Sequence, residues 1–420
     1  MAVKAAADAA FDRLERRSAD EREAALVAAL AKLVAHAKQA SAYYSELLAD
    51  IAPRDIKDLS VLARLPVTRK AALKKLQEGK PPFGGLEATP ISRLARIFAS
   101  PGPVFEPEAG RPDYWRYARA LWATGLRPGD LLHNCFAYHF TPAGAMMETG
   151  ALALGATVFP AGTGQTGLQV QTAATLRPVA YSGTPDFLRT ILEHADGQGA
   201  DLSSIEIAHV TGGALLPDAR AFYAQRAIEV MQSYGTAEIG LIAYESAAHE
   251  GLIADEGVII EIVEPGAGVP VADGETGEVL VTVLNPDYPL IRFATGDLSA
   301  ILPGASPCGR TNRRIKGWMG RADQTTKVKG MFVHPHQIAE IVRRHPEISH
   351  ARLLVGRERG ADVMTLKVEA GQTDGELVRA IEASVQAVTR LKGHVEIAPA
   401  GSLPRDGKAI EDARDYGGKS

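Results

Sequence analysis

Apolar and polar positions change their period several times along this chain, and each change marks a different kind of structure. From Glu21 onward, Leu26, Leu30, Leu33, Val34 and Ala37 recur at helical spacing with Glu23, Lys32, His36 and Lys38 off that face, which predicts a helix. DLSVLARLPVTRKAALKKL then predicts two short helical pieces divided at Leu65-Pro66, where proline ends the first. Further on, DLLHNCFAY, GATVFPAG, PVAYSGTP and IEIAHVTGG are short apolar runs closed by Gly, Pro or Thr, and they predict strands. Between them MMETGALALG and TPDFLRTILEHAD predict helices, the second capped by Thr184 with Pro185 at its first position. Such alternation predicts an α/β fold of layered sheets with parallel pairing, whose ligands gather at the loops leaving the strand C-termini.

The pattern shifts at Gly257, where GVIIEIVEP, GEVLVTVLN and LIRFATGDLSAIL predict a separate antiparallel sheet or barrel. It shifts again near Gly320–Asp323. TKVKGMFV, HQIAEIVRRH, ARLLVGRERGADVMTLKVEA, ELVRAIEASVQAVTRL and HVEIAPA then read as strand, helix, hairpin, helix, strand. We therefore expect a large N-terminal domain over 1–319, with a helical start over 1–80 and a β-rich part over about 257–310, and a small α+β domain over 320–420.

Composition narrows the function. A hydrophobic share of 46% excludes a disordered chain, and 46 Lys+Arg against 50 Asp+Glu leave no basic field to attract nucleic acid or anionic lipid. With two cysteines, no apolar leader at the N-terminus and no run of about 18 apolar residues, the chain reads as a soluble cytoplasmic protein.

Three stretches carry candidate chemistry. In SYGTAEIG, Ser233–Gly240, Thr236 offers a hydroxyl to a phosphate and Glu238 a hard oxygen to Mg²⁺; taken singly, it is as readily a turn with a surface acid. In YPLIRFATGDLSAI, Asp297 is placed to accept hydrogen bonds from a ribose diol, or simply forms a turn. In LPRDGKAIED, Lys408 sits on a Gly-containing loop, where a lysine is ordinarily solvated.

Their order is more informative. SYGTAEIG, GETGEVLVT, YPLIRFATGDL, GRADQTTKVKGMFVHPHQIAEIV and GSLPRDGK follow the succession of core motifs in adenylate-forming enzymes, and YYSELL followed by DLSVLARLPVTRKAAL resembles the N-terminal signature of the phenylacetate–coenzyme A ligase family. The resemblance runs over nearly the whole chain. It implies that ATP and Mg²⁺ convert a carboxylic acid to an acyl-AMP and that coenzyme A then takes the acyl group. It assigns Tyr234 to the adenine, and Gly212, Gly213, Ala214 and Gly235 to the edges of the nucleotide and acyl pockets. Thr236 is assigned to the α-phosphate, Glu238 to Mg²⁺, and Asp297 with Arg321 to the ribose. Asp323 becomes the hinge of a mobile C-terminal domain, and Lys408 the cation bridging carboxylate and α-phosphate. The basic stretch Thr311–Gly330, Lys329 included, reads either as a holder of the coenzyme A phosphates or as a solvated linker. A homodimer is implied by the resemblance alone.

Two departures stand out. Family members carry a Ser/Thr/Gly-rich phosphate loop ending in Lys-Pro, whereas RIFASPGPVFEPE keeps only Ser100 and Gly102 as phosphate contacts and adds Glu106 and Glu108. The positions of the relatives' zinc cluster hold Ser246, Ile253, Ser306 and Cys308, so no structural zinc is expected. His334-Pro-His336, read at alternate strand positions, offers two metal ligands without a third, and packing is the better reading; Cys135 reads as a small core residue. CFAYHFTPAGAMMETG resembles the acyl-pocket segment, with Phe136, Tyr138, His139 and Phe140 offering faces to an aromatic acid and Ala143 setting room, although half of them could be core. Two other functions stay open: transfer of the acyl group to a non-thiol acceptor, and a degenerate nucleotide-binding regulator.

Overall fold

Parallel pairing follows directly from the apolar runs of the middle chain. In the computed structural model, which describes residues 9–213, 215–328, 331–358, 361–371 and 375–414, the strands Thr157–Pro160, Leu131–Asn134, Ala180–Gly183, Ile207–Val210 and Glu229–Thr236 lie side by side in that order, all parallel. Ala180–Gly183 and Ile207–Val210 are buried at every position, as strands covered on both faces must be. The helix Pro185–Gln198 begins as expected: the Thr184 hydroxyl accepts from the Phe187 N–H and Pro185 takes the first position. Its Leu188, Ile191, Leu192 and Ala195 pack with Val210, Val230 and Tyr223 in one of the cores.

After Thr236 the chain turns back on itself. Gly240–Tyr244 pairs antiparallel with the last parallel strand, and Leu252–Ala254, Arg314–Ile315 and Ile301–Leu302 extend the same edge, so nine strands share this sheet among the described residues. The β-rich part forms a second sheet in which Leu290–Ser299, Gly277–Val283 and Val258–Val263 are neighbours in that order, the latter two antiparallel. Its remaining edge is Thr68–Arg69, parallel to Phe293–Ala294.

That edge strand corrects the expected helical pieces. The first, Leu59–Arg64, is a 3₁₀ helix, and the second opens with the strand and a 3₁₀ turn before the helix Leu73–Gly79. Tertiary hydrogen bonds decide the matter: the Tyr44 hydroxyl accepts from the Ile291 N–H at 2.9 Å and lies 3.4 Å from the Thr68 hydroxyl, tying Thr68 to the sheet edge. No helix among the described residues is long and apolar enough to cross a membrane.

The described residues gather into two units, one reaching to Thr295 and resuming at Ala300–Gly317, the other taking Gly296–Ser299 and the chain from Trp318 onward. In the second, His394–Ala398, Ala361–Ala370, Ile348–Glu358 and Ile410–Asp412 form a sheet with antiparallel centre and parallel edges. Ile338 and Ile341 of the helix Pro335–Arg344, and Ile381 and Val385 of Gly375–Thr389, pack on its Leu353, Val355 and Leu366. TKVKGMFV is not one strand but two, Thr326–Val328 and Met331–Val333, paired antiparallel. His334 and His336 do not alternate on a strand: Pro335 opens the helix, His334 caps it, and their rings stack 5.5 Å apart.

Candidate active site

In the first unit the chemistry collects where parallel strands end. Leu131–Asn134 leads into Phe136, Ile207–Val210 into Gly212 and Gly213, and Glu229–Thr236 into Glu238. Gly212 has a φ of +73°, and a Cβ there would stand 3.9 Å from both Phe136 and Thr184, so these two loops meet. Ala214 lies outside the described residues. Gly235 admits no side chain, because a Cβ would collide with the Tyr117 hydroxyl and the Gly240 carbonyl. Tyr234 is buried and its hydroxyl donates to Thr295 at 3.3 Å. The Thr236 hydroxyl accepts from the Ile239 N–H at 3.3 Å, which fixes the turn that carries Glu238.

Glu238 is 4% exposed, and its carboxylate lies 3.0 Å from the Lys70 ammonium. The Thr68–Arg69 strand delivers this lysine from 168 residues away. The segment with the altered phosphate-loop sequence is a hairpin, Leu94–Ser100 with Val104–Ala109. Glu106 and Glu108 point inward from it: Glu108 accepts from Trp115 at 2.9 Å and Arg96 at 2.6 Å, while Glu106 takes the Ser100 hydroxyl. Ser100 is therefore engaged within the hairpin, and Gly102 lies in its turn. Burial pushes the Glu106 carboxyl up to about 7, the Glu238 charge adding to the effect and Ser100 and Lys70 opposing it.

The aromatic segment divides. Phe136 is buried; Tyr138 is half-buried, its hydroxyl accepting from Asn134 at 2.7 Å; His139 and Phe140 face solvent, Phe140 being 79% exposed. Ala143 starts the helix Ala143–Ala153. Cys135 is buried, and desolvation holds its proton on. Cys308 lies 3.1 Å from Ser306. Among the described residues no group of three or more His, Cys, Asp or Glu side chains could hold a metal ion. Glu238 nevertheless fits Mg²⁺, which takes one or two carboxylates and completes its shell with water and substrate phosphates.

In the second unit Asp297 accepts from the Trp318 indole and from Arg321, each at 3.1 Å. Arg321 reaches Asp323 at 3.4 Å, on the 3₁₀ turn Ala322–Gln324. Arg321, Asp323, Asp406 and Lys408 line one cavity of about 780 Å³, and the Lys408 side chain is exposed. Within the basic stretch, Arg314 is buried against the Glu250 carboxylate and four backbone carbonyls and so serves the fold, Arg313 makes an exposed pair with Asp273, and Lys329 lies outside the described residues.

The model of AMP-binding enzymes matches residues 114–283, and that of the AMP-binding enzyme C-terminal domain residues 330–414. Phenylacetate–coenzyme A ligase of Thermus thermophilus is 31% identical over 370 residues, covering 82% of this chain and 80% of its own. The Escherichia coli phenylacetate–coenzyme A ligase is 30% identical over 430 residues, covering 95% and 96%. The chain belongs to the phenylacetate–coenzyme A ligase family. The open conformation of 2-hydroxyisobutyryl-CoA ligase, solved with 2-HIB-AMP and CoA, shares the fold of this family member at a TM-score of 0.85, with 24% identity over 95% of this chain and 93% of that one.

Sequence reading missed Lys70. It stands in the motif VTRKAALKK, where several neighbouring cations resemble a solvated helix face. The family's N-terminal signature covers that motif and could have raised the question of why a lysine belongs there.

Proposed function

We propose that this family member activates an aromatic carboxylic acid with ATP as an acyl-AMP and passes the acyl group to coenzyme A. The observation that carries the reading is buried Glu238 at the end of the last parallel strand, beside Thr236 and paired with Lys70. A carboxylate attacks the α-phosphorus only if charge on both anions is offset, and pyrophosphate then leaves with the bridging electrons. Lys70 and Lys408 are the ammonium groups assigned to that task. Mg²⁺ held at Glu238 would neutralise further phosphate charge. Asp297, oriented by Arg321 and Trp318, accepts the ribose hydroxyls. Phe136, next to Gly212, forms an apolar wall of the acyl site with half-buried Tyr138. The hinge at Asp323 belongs to the same reading: Lys408 serves adenylation and withdraws before the thiol attacks. A cytoplasmic homodimer completes it.

The buried Glu106 favours a second reading, a nucleotide-binding regulator without turnover, because a carboxylate in the hairpin opposes a polyphosphate. Pyrophosphate release across a panel of aryl and aliphatic acids, with and without coenzyme A and with the thioester identified by mass, separates the two. An aryl acid giving its coenzyme A thioester supports ligation. Release without thioester moves the acceptor to an amine or other non-thiol, and no release with any acid leaves the regulator.

A further inference from the structure

Lys408 stands on an exposed loop of the second unit, yet the backbone on both sides of it is held. One side chain does this. The Gln324 amide nitrogen donates to the Gly407 carbonyl at 3.2 Å, and its amide oxygen accepts from the Ala409 N–H at 2.9 Å. The residue between those two bonds is Lys408. A second clamp comes from Asp406, which accepts from the Lys408 N–H at 3.1 Å and is itself gripped by buried Arg352 through two guanidinium nitrogens, at 3.2 and 3.0 Å. Gly407 has a φ of +75°, and a Cβ there would meet open space among the described residues, so hydrogen bonds rather than packing confine the loop at that point. Gln324 belongs to the 3₁₀ turn Ala322–Gln324, directly after Asp323. Within the second unit, one amide therefore joins the turn assigned to the hinge to the loop that carries the lysine.

We propose that Gln324 is a positioning residue for adenylation, fixing the Lys408 loop to the Asp323 turn so that the ammonium approaches the substrate anions from a backbone already in place. A loop ordered in advance loses less freedom when the transition state forms. The inference rests on the reading that gives Lys408 its part in acyl-AMP formation, and its test carries one arm that does not depend on activity.

That arm is amide hydrogen exchange of the full chain, read by mass spectrometry over peptides containing Lys408 and Ala409. Gln324→Leu removes both bonds and should speed exchange there by ~10-fold or more, because these amides lose their protection. The kinetic arm measures the two half-reactions separately for Gln324→Leu, Lys408→Ala and the double variant. Gln324→Leu should lower kcat for acyl-AMP formation by ~10–100-fold while changing the KM for ATP by about twofold at most. Thioester formation from supplied acyl-AMP should fall by no more than about threefold, and the double variant should be no slower in acyl-AMP formation than Lys408→Ala, since the glutamine acts through the lysine. Unchanged exchange, unchanged acyl-AMP formation, an equal fall in both half-reactions or a full further loss in the double variant would each overturn the proposal. Thermal melts establish that the variants fold. Should Gln324→Leu fail there, Gln324→Glu decides, because it keeps the acceptor for the Ala409 N–H and sets a carboxylate oxygen against the Gly407 carbonyl. A fall confined to acyl-AMP formation then supports the positioning role, and no fall or an equal fall removes it. Faster exchange in Gln324→Leu, with no pyrophosphate released by the unaltered chain from any acid, keeps the clamp on the loop and rejects the ATP-activating reading.

Discussion

Glu238 and Asp297 are both buried acids at the ends of apolar strands, yet their surroundings differ in kind. Among the described residues Glu238, 4% exposed, is paired with the partly exposed Lys70 ammonium. Asp297, 8% exposed, is held by a guanidinium and an indole N–H, so its charge is offset and its lone pairs are fixed. On the proposed reading, the acid whose partner is a flexible ammonium takes the cation. On the same reading, the acid oriented by a guanidinium and an indole accepts hydrogen bonds from a diol. That reading gives one residue class two functions and lets the neighbours decide which.

The sharpest break of this comparison is Glu238→Gln, which removes charge at nearly constant shape. Adenylation should fall by ~10²–10³ and lose its Mg²⁺ dependence while the fold persists. Pyrophosphate release measured against Mg²⁺ checks this, and retained release would remove Glu238 as the cation's ligand.

Lys408→Ala comes next, because on the proposed reading Lys408 acts in one half-reaction only. Acyl-AMP formation should drop by ~10²–10³, whereas thioester formation from supplied acyl-AMP stays nearly unchanged. Equal loss in both halves would make Lys408 a support of the fold or a coenzyme A contact.

Asp297→Asn keeps size and loses charge, and should raise the KM for ATP by roughly tenfold with a smaller effect on kcat. A loss of Mg²⁺ dependence in this variant, in place of a KM effect, would erase the distinction between the two acids.

The smallest effect concerns the floor beneath the site. His209 is buried between the Thr124 and Ser233 hydroxyls, and desolvation lowers it from its usual 6.5 to about 4, against a weak opposing pull from Glu245. The unfolded chain therefore takes up a proton near 6.5 that the folded chain refuses until near 4. Across that window the unfolded state binds more protons, so stability falls as pH falls, by at most about 3 kcal/mol from this group, and is fully present above it. His209→Gln should flatten the acid limb of thermal melts between those values. An unaltered slope would show that other groups set it.

Much of this was legible in the chain because it is local. The apolar runs ending at Asn134, Gly183 and Val210, the Thr184 cap with Pro185, and the Thr236–Glu238 turn each depend on neighbouring residues, and the fold uses them as read. What was not legible is long-range. The strand at Thr68–Arg69 exists because residues 293–294 lie beside it, and Lys70 reaches Glu238 only through that pairing. The inward turn of Glu106 and Glu108 likewise depends on Ser100, Arg96 and Trp115, side chains whose proximity is made by the hairpin and by tertiary packing. The exposure of His139 and Phe140 follows from loop geometry that an aromatic-rich segment does not announce.

The most direct test of the account is exchange of labelled pyrophosphate into ATP by the unaltered chain, with phenylacetate and Mg²⁺ present and coenzyme A absent. The account predicts exchange that requires both acid and metal, and that gives way to phenylacetyl-CoA once coenzyme A is added. No exchange with phenylacetate or with any other aryl or aliphatic acid, in a protein that still binds ATP, would contradict it.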